Sequence, residues 1–172
     1  MSISADTDRI KEIITMRYLI PFFLLFYTTF SLAESPITPE DAPIIIYKVQ
    51  DNFDDIKANL EMAITDRGML VTNILHISEM MERTAKDTGL DKKIYGKAES
   101  LEFCSIKMSY NMSLAHPANL SICPLTVSLY TKVSEPDTVY LTYRRPVMLG
   151  DAASASKALM EMLDGIVQES ME

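Results

Sequence analysis

Ser121–Pro146 reads SICPLTVSLYTKVSEPDTVYLTYRRP. Leu125, Val127 and Leu129 alternate with Thr126, Ser128 and Tyr130. Val139, Leu141 and Tyr143 alternate in the same way with Tyr140, Thr142 and Arg144. A period of two places successive side chains on opposite faces of a strand, so the segment predicts a β-hairpin with one apolar face, reversed by the polar Ser134–Asp137. Two strands cannot bury that face alone. Helices upstream and downstream must cover it, and the chain is therefore of α+β class.

Working upstream, Ile44–Val49 is apolar and β-branched and predicts a first strand. Asp51 then caps a helix whose Ile56, Leu60, Ala63 and Ile64 fall on one face, and Gly68 closes it. Met69–Ile77 predicts a second strand. Ser78 stands where an N-cap belongs, Glu79 complements the helix dipole, Met81 and Ala85 are one turn apart, and Gly89 ends that helix. Leu90–Ala98 reads as a loop, Glu99–Cys104 as a third strand, and Lys107–Ala115 as a short helix stopped by His116-Pro117. Downstream of the hairpin, Asp151 caps a helix over Ala152–Gln168, with Leu159, Leu163 and Ile166 as an apolar stripe and Met162 beside it. The expectation is one α+β domain over residues 44–172: a βαβαβ unit, the hairpin, and a C-terminal helix packed on the sheet.

The amino terminus points to export. Arg17 precedes the apolar run Tyr18–Phe30, followed by Ser31-Leu32-Ala33. The run is short for a helix that must cross about 30 Å of hydrocarbon. Small residues at Ser31 and Ala33 match a signal-peptidase site, so residues 1–33 read as a signal peptide cleaved after Ala33. Translation starts at Met1 or at Met16. An uncleaved anchor is the alternative, and it is the only route by which this chain would meet a membrane. Residues 34–43, with Pro36, Pro39 and Pro43, cannot sustain a ladder or helix and read as a tether. The implied compartment is the periplasm or the exterior.

Composition narrows the function classes. The chain has 172 residues, a formal charge of −8 and no tryptophan. Without a cluster of Lys and Arg it lacks what a nucleic-acid partner requires. The serines have no G-x-S-x-G elbow and the histidines no H-x-x-x-H spacing, so no motif names a reaction or a cofactor. His76, His116 and the methionines Met80, Met81, Met108 and Met112 offer soft donors, but methionine at helical spacing fills cores, and no metal site is assigned. The two cysteines, Cys104 and Cys123, fall at the end of the third strand and before the fourth; in an oxidising compartment they are candidates for a disulfide.

The hairpin strands, Pro124–Tyr130 and Val139–Pro146, resemble the paired strands of the domain of unknown function 302 family, in which Pro-Leu or Pro-Cys opens one strand and Tyr-x-x-Pro ends the next. The upstream order of helix, strand ending at His76, and helix ending in Gly89-Leu90 is similar to that family over about Ile44–Leu149. Two positions depart from it. The family commonly has Asp-His where this chain has Leu75-His76, and Gly-Asn-Pro-Lys where it has Cys104-Ser105-Ile106-Lys107. The resemblance implies a fold and no reaction.

His76 lies beside the expected N-terminus of a helix, where free backbone N–H groups favour an anion. With Ser78 and Lys107 it forms the candidate ligand site. The functional expectation is a non-catalytic exported domain that binds a small polar or anionic ligand or a partner protein. An enzyme of unknown class and a soft-metal or redox accessory protein of the periplasm are the alternatives.

Overall fold

The computed structural model describes residues 34–39, 41–90 and 92–172. The expected signal segment, residues 1–33, lies outside them. In chain order the elements are β1 (Ile44–Gln50), α1 (Phe53–Thr65), β2 (Val71–His76), α2 (Ile77–Thr88) and β3 (Tyr95–Phe103). Then come α3 (Ile106–Ala115), a 3-10 turn (Pro117–Ile122), β4 (Leu125–Lys132), β5 (Glu135–Arg144) and α4 (Ala153–Glu169). The strands form one sheet in the order β1-β5-β4-β3-β2. Every neighbouring pair is antiparallel, so the alternating β-α-β order of the first half sends β1 and β2 to opposite edges.

The hairpin has the register that alternation requires. Val127 and Leu141 are fully buried, whereas Thr126 and Thr142 on the other face are half-exposed. Leu101, Phe103, Leu125, Leu129, Ile45 and Tyr143 continue the buried face across the sheet. Helices α1 and α4 cover it with Ile56, Leu60, Leu159 and Ile166, all at 0% exposure. Each such side chain contributes about 1.5–3 kcal/mol of burial, which is why these two stripes dock on the sheet.

Several boundaries differ from the sequence reading, each for a local reason. The hairpin reverses at Val133-Ser134, because Glu135 is drawn back into the ladder opposite Lys132. Asn52, one residue after Asp51, caps α1 by accepting from the Asp54 amide at 2.8 Å; Asp51 instead accepts from the Asn52 amide. Ala152 precedes α4 and gives no side-chain cap, so Asp151 does not cap that helix. Strand β2 ends at His76, which is itself the N-cap residue of α2, and Ser78 lies inside the helix. Strand β3 begins at Tyr95, within the expected loop, because a bulge between Tyr95 and Ala98 lets this polar stretch pair with β4. Gly96 is required there: a Cβ would stand 2.6 Å from the Thr131 hydroxyl. The expected tether is partly laid down, since the Ile37 amide donates to the Ile46 carbonyl at 2.8 Å and Thr38 Oγ1 accepts from the Ile46 amide.

Candidate functional site: a groove beside helix α2

Helix α2 follows β2 without a loop and leans on β3 through one hydrogen bond in particular. The Ala98 amide, freed by the bulge, donates to the Ser78 hydroxyl at 3.1 Å. Gly89 then adopts the left-handed conformation (φ 68°) and turns the chain back along the helix toward Tyr95. No residue of α2 is buried among those described, although its sequence has an apolar side. That side, with Met81 and Ala85, faces Leu90, Ile94 and Tyr95 across a half-open groove of about 500 Å³ with mostly apolar walls. This volume lies within the range of small-molecule sites. At the groove's edge Lys93 Nζ meets Glu82 Oε1 at 2.6 Å, and Lys92 stands beside it.

Tyr95 continues the groove onto the sheet face opposite α1 and α4. Its ring meets Tyr130 edge-on at 5.4 Å, and Tyr130 stacks on Tyr140 at 5.0 Å with the planes 8° apart. Lys132 Nζ lies 4.2 Å from the Tyr140 ring centroid and 2.9 Å from its hydroxyl, while that hydroxyl donates to Glu135. The Tyr140 hydrogen bond, aided by Glu135, holds the Lys132 ammonium above its ordinary pKa, and the same hydroxyl holds Glu135 below its own. Burial pushes the Tyr130 phenol up. The three tyrosines form one contiguous row, pinned at its far end by a lysine and a glutamate.

The structure does not bring His76, Ser78 and Lys107 together. His76 Nδ1 stands 3.1 Å from Glu99 Oε1, and the other oxygen of Glu99 meets Lys57 Nζ at 2.6 Å. An anion at His76 would thus compete with a carboxylate already there. Lys107 is on α3, which follows Phe103, and Phe103 pairs with Val71 at the opposite end of β2 from His76. Ser78 alone lies in the groove. Its hydroxyl fixes a backbone amide in place of capping the helix. The groove and the tyrosine row were not read as a site from sequence. The available signals were the apolar residues Leu90 and Ile94 in an otherwise polar loop, and two tyrosines on the polar face of the hairpin.

The cysteines are adjacent. Cys104 Sγ and Cys123 Sγ are 3.5 Å apart, and Ser109 Oγ is 3.3 and 3.0 Å from them, respectively. Both are free thiols, with Cys104 exposed and Cys123 half-buried, and burial pushes the Cys123 thiol up. Among the described residues no group of three or more His, Cys, Asp or Glu is placed to hold a metal ion, and no helix is long and apolar enough to cross a membrane.

A family model described as "Domain of unknown function DUF302" matches residues 45–170, reaching through α4 and so beyond the segment that resembles that family by motif. Among solved structures, the chain is similar to an uncharacterised conserved DUF302 protein from Bacillus stearothermophilus. The two are 16% identical with a TM-score of 0.61, over 74% of this chain and 97% of that one. At this identity the likeness speaks for the fold. Among curated proteins none matches the chain.

Proposed function

Since this chain belongs to the DUF302 family, whose description names no reaction, we propose that it is an exported, non-catalytic binding domain whose ligand seats in the groove between α2 and the residues Leu90, Ile94 and Tyr95. The observation that carries the reading is the apolar side of α2, which is only partly covered among the described residues and forms one wall of a cavity of ligand size. Apolar walls with Lys92 among the lining favour a small amphiphile, an apolar body with an anionic head, over a free anion. The carboxylate in the groove, Glu82, is committed to Lys93, an arrangement suited to holding a ligand. Of the three tyrosines Tyr95 lines the groove and gives it an aromatic wall against which an apolar body can pack.

The test is displacement of a dansylated fatty acid by oleate. Binding that falls at least tenfold in Ala85→Trp, where the indole fills the groove, is the expected result. Equal binding by this variant, or no binding by the native protein, would overturn the reading.

Export is proposed on the sequence: the Arg17 flank, the Tyr18–Phe30 run and the small residues Ser31 and Ala33. The intact mass of the protein isolated from its host checks it. A chain beginning at Glu34 is expected, and one that retains the apolar run refutes cleavage.

A further inference from the structure

The two cysteines lie where neighbouring strands converge. Cys104 follows Phe103 of β3, Cys123 shortly precedes Leu125 of β4, and Phe103 and Leu125 are partners in the ladder. Their sulfurs, 3.5 Å apart, need approach by only about 1.5 Å to reach the length of a disulfide bond. The Ser109 hydroxyl donates its single hydrogen to the Ser105 carbonyl at 2.8 Å, which leaves its oxygen to accept from the Cys123 thiol at 3.0 Å, while the Cys104 thiol donates to Cys123 Sγ. Ser109 Oγ, within 3.3 Å of Cys104 Sγ as well, closes a compact group that keeps the two sulfurs together at the start of α3.

We propose that Cys104 and Cys123 form a thiol–disulfide exchange pair that is oxidised by a low-molecular-weight disulfide to an intramolecular disulfide clamping α3 and the 3-10 turn between β3 and β4. The exposed Cys104 reacts first. Its thiolate attacks one sulfur of the external disulfide, that S–S bond breaks, and the departing thiolate takes up a proton. Cys123, half-buried behind it, is the resolving thiol: it gives up its proton, attacks Cys104 Sγ in the mixed disulfide and expels the second external thiol. Two protein thiols are oxidised, one external disulfide is reduced to two thiols, and the two protons lost by the protein end on those thiols. Burial, which pushes the Cys123 thiol up, favours this order, because the thiolate is the attacking species.

The experiment equilibrates the folded chain in buffers of reduced and oxidised glutathione, blocks remaining thiols with an alkylating agent, and reads the intact mass. The native chain should pass from two alkylated thiols to none, without a glutathione adduct. It should do so at a redox ratio at least about tenfold more reducing than the same chain needs in denaturant, because the fold raises the effective concentration of one thiol at the other above that of a flexible loop. Cys123→Ser should retain glutathione on Cys104. The proposal is overturned if the native chain keeps two alkylatable thiols under excess oxidised glutathione, if it retains glutathione on both sulfurs, or if closure is no easier folded than in denaturant.

Discussion

The Tyr47 hydroxyl donates to Asp164 Oδ1 at 2.7 Å, joining the edge strand β1 to the middle of α4 across 117 positions of sequence. Tyr143, from the adjacent strand β5, donates to the same oxygen. Both tyrosines are otherwise buried, at 1% and 3% exposure. A single half-buried carboxylate thus accepts from two phenols and ties the C-terminal helix to two neighbouring strands.

Asp164→Ala should therefore cost far more than a surface substitution. It strands two buried hydroxyls, each with a desolvation penalty of about 1–3 kcal/mol, so a loss of about 2–4 kcal/mol is expected in urea titration. Asp164→Asn keeps an acceptor oxygen and should cost less than half as much. Equal losses in the two variants would show that the carboxylate acts through its charge.

The same pair sets a limit on the alkaline side. Burial, then the hydrogen bond to Asp164, pushes the Tyr47 phenol up to about 12, and the Tyr143 phenol is raised by the same two causes. In the unfolded chain both ionise near pH 10. Above that pH the unfolded state has lost protons that the folded state still holds, so stability is complete below about pH 10 and is lost as pH rises toward 12. The urea midpoint should fall between pH 9.5 and 11.5, by a free energy on the order of 2 kcal/mol per tyrosine at the upper end. Tyr47→Phe should flatten part of this slope; an unchanged slope would place the titration elsewhere.

The hairpin and the apolar stripes of α1 and α4 were legible because a period of two and a period near 3.6 survive in the residues themselves. The bulge at Tyr95–Ala98 was not. It depends on Gly96 meeting Thr131 and on Ser78 meeting Ala98, contacts between segments that no local pattern connects. The separation of Lys107 from His76 is likewise set by strand pairing that no local pattern shows. Antiparallel pairing sets His76 opposite Glu99, in the middle of β3, whereas Lys107 lies on α3 beyond the end of that strand. Lys57, from α1, is the cation that joins that cluster.

Two glycines with similar backbone angles should respond very differently to alanine. Gly150 (φ 76°) packs so closely on the end of α3 that a Cβ would stand 2.2 Å from the Ala115 carbonyl oxygen, whereas Gly68 (φ 72°) has nothing within 4 Å. Gly68→Ala should cost only the left-handed backbone penalty, about 1–2 kcal/mol. Gly150→Ala adds a clash with backbone that cannot rotate away, at the corner where Asn119 also bonds the Leu149 carbonyl and amide. Thermal unfolding should separate the two variants clearly, with Gly150→Ala the lower; equal midpoints would mean that this corner yields freely.

Ser78 tests how the groove is held. Its hydroxyl is the acceptor for the Ala98 amide, and Ala98 is only 4% exposed, so Ser78→Ala leaves a buried donor without that partner. The expected loss is about 1–2 kcal/mol in global stability. The more telling readout is local: none of the described residues of α2 is buried, and the Ser78 contact ties its first turn to β3. Hydrogen exchange at the Ala98 amide should accelerate by more than the global loss explains, while the Leu129 amide in the centre of the sheet follows global unfolding alone. Ser78→Thr keeps the hydroxyl and should restore most of the protection at Ala98. If Ala98 and Leu129 accelerate by the same factor in Ser78→Ala, the bond contributes to the fold as a whole and does not specifically hold the wall of the groove.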